Sequence, residues 1–371
     1  MHKLFRPLGA GFVALAALAA ARAWDAEGHR IVNQVALYSL PADFPAFARD
    51  AAATDRILHL ANVPDRWRNV DPALKQVGGS WEDHFLDIEQ LPDAGLDPKT
   101  VPSLRLDFAL MFAAGRIAHA EKFPAVDPEK NAGHTNEWPG FAPWGITENF
   151  HKLRSAFGYL KAYQELGGTP SEIANAQADV IFAMGLLGHY VADCAQPLHT
   201  TVHHNGWVGA NPNGYTTWPK FHSWVDGGFV AKAGIKAADL QTRATPVEPL
   251  PLPMRADGRD PLFVAAMDYV MTTHALVEPL YALEKGGLLG NKPELPVTPE
   301  ARAFFEDRFL AGGQMLARLW VTAWKAAPVD TYLRESLVRR QTRAAEAAAA
   351  ANPPAPALAP AASTAEPKKN P

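Results

Sequence analysis

The sequence predicts an all-α protein whose ordered part, residues 24–338, is a single multi-helix domain. Three observations carry that reading. Apolar residues recur at three- and four-residue spacing in segment after segment, the period of an amphipathic helix. Strict apolar–polar alternation, the mark of a half-buried strand, is nearly absent. Loops rich in Pro, Gly and Asn separate the periodic stretches. With 48% of its 371 residues apolar, the chain can build a sizeable core.

The elements follow in chain order. Residues 1–23 read as a secretory signal: His2, Lys3 and Arg6 make a basic start, an Ala/Leu/Val/Gly run follows, and Ala21-Arg22-Ala23 marks cleavage after Ala23. Ile31, Val32, Val35 and Ala36 form the first apolar stripe. Leu104, Leu106, Phe108, Met111, Phe112 and Ile117 suggest another helix. Phe150 to Leu166 carries a third, through Leu153, Phe157, Leu160 and Tyr163. Ser171 or Glu172 opens a long helix that runs through Ile181, Met184 and Leu187 to His189 and Asp193. Phe304 to Trp324 is a last core helix with Phe309, Met315, Leu316, Leu319 and Trp320. Loops are expected at 91–103, 121–146, 203–220 and 244–260. From Arg339 the composition turns to Ala and Pro with scattered charge, and residues 339–371 read as a disordered tail.

Charge and cysteine usage narrow the function classes. A formal charge of −4 and a pI near 6.4 leave no basic footprint, so a nucleic acid would be held by local contacts and bound cations rather than by a bulk field. After the first 23 residues no apolar stretch is long enough to span a bilayer, so no transmembrane anchor remains after cleavage. Cys194 is the only cysteine, which rules out an intramolecular disulfide.

The histidines carry the chemistry. His189-Tyr-Val-Ala-Asp193 and His222-Ser-Trp-Val-Asp226 are both His-x-x-x-Asp. On a helix, positions i and i+4 share a face, so each pair aims an imidazole and a carboxylate at one point. Pro197 would leave His199 just past the end of the first of these helices. Asp65 and His84 lie upstream. Imidazole and carboxylate donors suit zinc, and a zinc site with an open position is catalytic. Cleavage after Ala23 would make Trp24 the first residue, and its α-amine and carbonyl could join His29, five residues on, as ligands. Single histidines on helices are mostly ordinary, and His59, His119, His134, His151, His203, His204 and His274 are left as such. Cys194 is offset from Asp193 by about 100° around the helix, which points it into the core.

Taken together, six ordered blocks resemble a known superfamily, the zinc-dependent single-strand nucleases of the S-one/P-one type and the related bacterial zinc phospholipases C. The blocks are Trp24-x-x-x-Gly28-His29, Asp65-x-x-Arg68, His84-Phe85-Leu86-Asp87, His189-x-x-x-Asp193, Gln196-Pro197-Leu198-His199 and His222-Ser223-x-x-Asp226. The resemblance implies a cleft holding three zinc ions. One would take Asp65, His84, His189 and Asp193. A second would take His199, His222 and Asp226. The third would take the amine and carbonyl of Trp24 with His29 and Asp193. It further implies hydrolysis of a phosphodiester by metal-activated water, with Asp65 orienting or deprotonating that water and Arg68 gripping the scissile phosphate. Phe85 would stack a base and Asp87 would bind its edge.

Three details resemble the nuclease branch: the Trp24–His29 spacing, Asp65-x-x-Arg68, and the long separation of His199 from His222 with Asp226 as third ligand. The expectation is therefore an exported endonuclease, periplasmic or secreted, that cuts single-stranded DNA or RNA to 5′-phosphate products. No obligate protein partner is evident. A phospholipase C acting on phospholipid head groups is the first alternative, and a non-catalytic zinc-binding envelope protein the second. Two features depart from the nucleases: no disulfide is possible, and the segment from His84 to His189 is longer. That insertion includes the aromatic stretch Trp138-Pro-Gly-Phe141-Ala-Pro-Trp144 and could rim the cleft.

Overall fold

The computed structural model describes residues 24–75, 81–131, 133–292 and 294–351. Among them the chain is all-α. No strand is present, and one isolated bridge pairs Leu86 with Gly140. The longer helices are α1 (Ala26–Tyr38), α2 (Ala51–Leu60), α3 (Val63–Val70), α4 (Arg105–Ala118), α5 (Ala142–Glu165), α6 (Pro170–Asp193), α7 (Pro261–His274), α8 (Val277–Lys285), α9 (Pro299–Lys325) and α10 (Thr331–Ala351). No helix among the described residues is long and apolar enough to cross a membrane.

Helix starts follow the capping chemistry of the sequence. Thr169 and Glu172 form a reciprocal capping box on α6 with Pro170 in the first turn, so the helix begins just before the expected Ser171. Thr298 caps α9 through the amide of Ala301, again with Pro in the first turn. Pro143 occupies the first turn of α5, which starts at Ala142, well before the expected Phe150.

The core forms where α5 packs on α6 and where α1 is held between α6 and α9. Close approach needs small residues. A Cβ on Gly313 of α9 would lie 2.3 Å from Val35 Cγ1, and one on Gly188 of α6 would lie 2.1 Å from Asn33 Oδ1. These two contacts press α1 onto the functional ends of its neighbours. They bring His29 on α1 beside His189 on α6.

One expectation is borne out and sharpened, and another is corrected. The helix expected over these residues forms as α4, but its apolar residues do not share one core face. Phe108 and Phe112 of α4 are buried, whereas Leu104, Leu106, Leu110, Met111 and Ile117 face solvent, with Leu106 77% and Ile117 80% exposed. Apolar residues surround this helix, so their spacing alone could not tell the inner side from the outer. Nor is the segment after Arg339 an unstructured tail at its start, because α10 runs on to Ala351. Ala, Glu and Arg are strong helix formers. Arg340 pairs with Glu172 at 2.8 Å, Gln341 donates to the carbonyl of Leu166, and Leu337 is buried, which docks the helix. Residues 352–371, like the expected signal at 1–23, lie outside the described residues.

Candidate metal centre

The centre is built on the last turn of α6. His189 and Asp193 stand one turn apart on its buried face, both fully inaccessible, with His189 Nε2 3.3 Å from Asp193 Oδ2. A short 3-10 turn, Glu82–His84, brings His84 Nδ1 to 2.9 Å from both Asp193 Oδ2 and His189 Nε2. Asp65, in the first turn of α3, places Oδ1 3.9 Å from His84 Nδ1 and 4.0 Å from His189 Nε2. From α1, His29 Nε2 lies 3.1 Å from the other oxygen of Asp193, and its ring stacks on His189 at 4.2 Å.

After Pro197 a 3-10 turn carries His199, as the proline implied. Its partners come from Phe221–Ser223 and the π-helical turn Trp224–Gly228. His222 Nε2 lies 3.0 Å from His199 Nε2 and 3.0 Å from Asp226 Oδ2. Gln196 donates to Asp226 Oδ1 at 2.7 Å and so fixes that carboxylate. Three buried groups result: His29–His189–Asp193, Asp65–His84–His189 and His199–His222–Asp226. Within each, the potential ligand atoms all lie within 4.8 Å of one another. Asp193 links them, because its Oδ1 is also 3.9 Å from His199.

The donor set fits metal cations. The Nδ1 atoms of His189, His199 and His29 face the carbonyl oxygens of Ala61 (2.7 Å), His84 (2.7 Å) and Asp25 (3.3 Å). A carbonyl only accepts, so each Nδ1 carries the proton and each Nε2 turns a lone pair inward. Burial drives His189 down to about 3 and His199 down to about 4, so both rings are neutral ligands at neutral pH. Burial opposes ionisation of Asp193, but the surrounding imidazoles outweigh it and hold the carboxyl well below its usual range. Asp226 is pushed well above its usual range by burial, only partly offset by His199 and Gln196. Carboxylate oxygens and imidazole nitrogens held this close, and this dry, make a donor set suited to cations lying between them.

Trp24 is fully buried. Its indole Nε1 donates to the carbonyl of Ala192, and its ring packs on Phe309 and edge-on to Phe305. This clamps the start of α1 to the residue before Asp193. Gly28 makes room for it, since a Cβ there would sit 2.9 Å from Trp24 Cβ. The cleavage that would free the Trp24 amine falls in residues 1–23, outside the described residues. The Arg68 side chain also lies outside them.

His84, His199 and His222 form part of the lining of a cavity of about 580 Å³. Phe85, Asp87 and Gln90 line it too, together with Trp81. Asp87 is pushed up to about 8 by burial and by the nearby Glu89, against a hydrogen bond from Gln90, so at neutral pH it can donate as well as accept. The long insertion supplies one wall through Pro124, Thr135, Asn136 and Trp138. It is stitched to the Phe85 segment by the amide of Asp87 on Pro139 and the amide of Ala142 on Phe85. Gly140, at φ +99°, is required there because a Cβ would meet the Phe85 carbonyl at 2.1 Å.

The insertion thus lines the cavity as expected, and of its aromatic stretch Trp138 is the member that does so. Phe141 and Trp144 are buried, and Trp144 stacks on Phe108 at 4.1 Å. They belong to the core because α5 starts early enough to take Trp144 into its first turn. One cavity residue was set aside at the level of sequence. His204 lines the same wall as His199 and His222, and its nearness in sequence to His199 was the signal available. Cys194 is buried, as its offset implied. No protein-family model matches the chain, and no curated protein matches it.

Proposed function

We propose that the chain is an exported zinc-dependent phosphodiesterase that cuts single-stranded DNA or RNA internally and leaves 5′-phosphate products. The observation that carries this reading is the convergence of three buried His/Asp groups beside one cavity lined by Phe85, Asp87 and Trp138. The order of the motif blocks, which resembles the single-strand nucleases, supports it.

Asp65, His84, His189 and Asp193 would hold one zinc ion. His199, His222 and Asp226 would hold a second. His29 and Asp193 would hold the third, with the freed amine and carbonyl of Trp24. When bound, such ions lower the pKa of water and stabilise developing charge on oxygen. The protein does the rest. Asp193 turns Oδ1 to His29 and Oδ2 to His84 and His189, so one carboxylate spans two groups. Asp65 keeps a 12% exposed side chain beside His84, which suits it to orient a water. Phe85 offers a face on which an unpaired base can stack, sequence-tolerantly, for about 1–3 kcal/mol. Protonated Asp87 can donate to an acceptor on the base edge. A paired base has no access to such a pocket, and that gives the preference for single strands.

The deciding experiment is an assay of protein beginning at Trp24 on single-stranded DNA, RNA and phosphatidylcholine, with and without chelator. Nucleotide release that chelator abolishes is expected. Lipid turnover without nucleotide release overturns the nuclease reading. One observation favours that second reading, phospholipid head-group cleavage: α4, whose inner Phe112 packs on Trp138, turns Leu106, Leu110 and Ile117 outward. An apolar face of this kind suits contact with a lipid surface.

A further inference from the structure

Several histidines outside the three groups already have structural roles. His203 stacks on Trp207 at 3.8 Å and accepts from the amide of Val208. His274 turns Nδ1 to the carbonyl of Thr200, and His151 pairs with Asp260 at 2.7 Å. His204 is different, because its ring lines the cavity beside His199 and His222. Its centroid is 6.1 Å from that of His222, roughly edge to face. It is not part of the His199–His222–Asp226 group. The ligand atoms of that group lie within 4.8 Å of one another and His204 falls outside the set, while its ring stays near enough to His222 for one water to lie between them.

The loop that carries His204 is fixed on several sides. Glu89 accepts from Thr201 Oγ1 and from the amide of Val202, and Tyr281 donates to the carbonyl of His203. Gly206, at φ +96°, lets the backbone of Thr217 approach where a Cβ would lie 2.6 Å away. His204 Nδ1 faces the carbonyl of Thr201 at 3.3 Å. That carbonyl can only accept, so Nδ1 carries the proton and Nε2 is left as an acceptor. A preorganised acceptor beside three ligands, where a tetrahedral cation needs a fourth, has a defined use.

We propose that His204 is a positioning residue for the His199–His222–Asp226 group, its Nε2 accepting a hydrogen bond from the water that completes that group's cation and so setting where that oxygen points. The proposal rests on reading the group as a metal site, and not on which phosphodiester is cut.

The test uses cobalt(II)-loaded wild-type protein and the variants His204→Ala and His204→Gln. Metal content should be the same in all three. The visible cobalt band should shift in His204→Ala and return towards the wild-type position in His204→Gln, or when free imidazole is added to His204→Ala. On a phosphodiester substrate, kcat should fall about tenfold or more with KM little changed, the scale seen when partners of a ligand shell are removed. An unchanged band and kcat in His204→Ala overturn the proposal. So does loss of one bound ion, which would make His204 a ligand. If wild-type protein turns over no phosphodiester, the functional reading fails while the cobalt band still decides the role of His204.

Discussion

The floor and the wall of the cavity are built on different principles. The floor is the turns that carry His84, His199 and His222, backed by the end of α6 and by α1. Its candidate ligand residues are all buried, and backbone carbonyls hold the rings of His29, His189 and His199. The wall comes from irregular chain, the insertion around Trp138 and the loop around His204, and includes half-exposed residues. Helical backbone fixes the reactive groups to within a fraction of an ångström, whereas loops can vary the substrate surface without disturbing them. Under the proposed function, the floor would set the chemistry and the wall would set what is cut.

The largest expected effect breaks the floor. Asp193→Asn keeps the shape but removes the charge that faces His29 on one side and His84 and His189 on the other. Activity should fall by more than the ~100-fold typical of outer-shell changes, with fewer bound ions by metal analysis. Near-normal turnover would refute the mechanism and not merely the substrate.

A smaller loss is expected from the other end of the floor. An extra residue retained before Trp24 converts its amine to an amide, a far poorer ligand, while leaving the indole free to hold the carbonyl of Ala192. Such protein should bind one ion fewer and lose most activity with its melting temperature little changed. Full activity would reduce Trp24 to the packing role that its contacts with Phe305 and Phe309 already show.

Changing the wall should separate binding from chemistry. Phe85→Ala should cost about 1–3 kcal/mol of substrate affinity, read as a raised KM on single strands, with metal content and kcat on a small chromogenic phosphodiester unchanged. A fall in kcat on the small substrate would mean that Phe85 supports the floor, and the division between the two regions would fail.

The same division explains what could be read from the sequence. His189 and Asp193, and likewise His222 and Asp226, announce themselves because helical turns convert a four-residue spacing into a shared face. The π turn at Trp224–Gly228 preserves that convergence. Asp65, His84 and His29 come together only through tertiary packing, and the motif order identified them. The wall had no such period. Phe141 and Trp144 carry the same signal as Trp138, yet the start of α5 buries them and leaves Trp138 at the cavity. His204 looked like any histidine near a ligand until the loop's hydrogen bonds gave it a direction. In α4 the periodicity found a helix but not its inner face, because Leu106 and Phe108 are equally apolar.

The smallest effect on activity comes from the joint between floor and wall, where the change is read in stability. Asp87 lies three residues after His84, its amide bonded to Pro139 of the insertion. Burial raises its carboxyl from an ordinary 3.8 to about 8. A group with a raised folded pKa favours the folded state only while protonated, so its contribution is complete below pH ~4 and is lost as pH rises through ~8. Asp87→Asn cannot ionise. The difference in urea midpoint between the variant and wild type should therefore be near its minimum at pH 4 and should grow in the variant's favour up to pH ~8, then level off. A difference that stays flat across that window would mean that Asp87 is ionised in the folded protein. It would then meet a base edge as an acceptor only, and the wall would select a different set of ring donors.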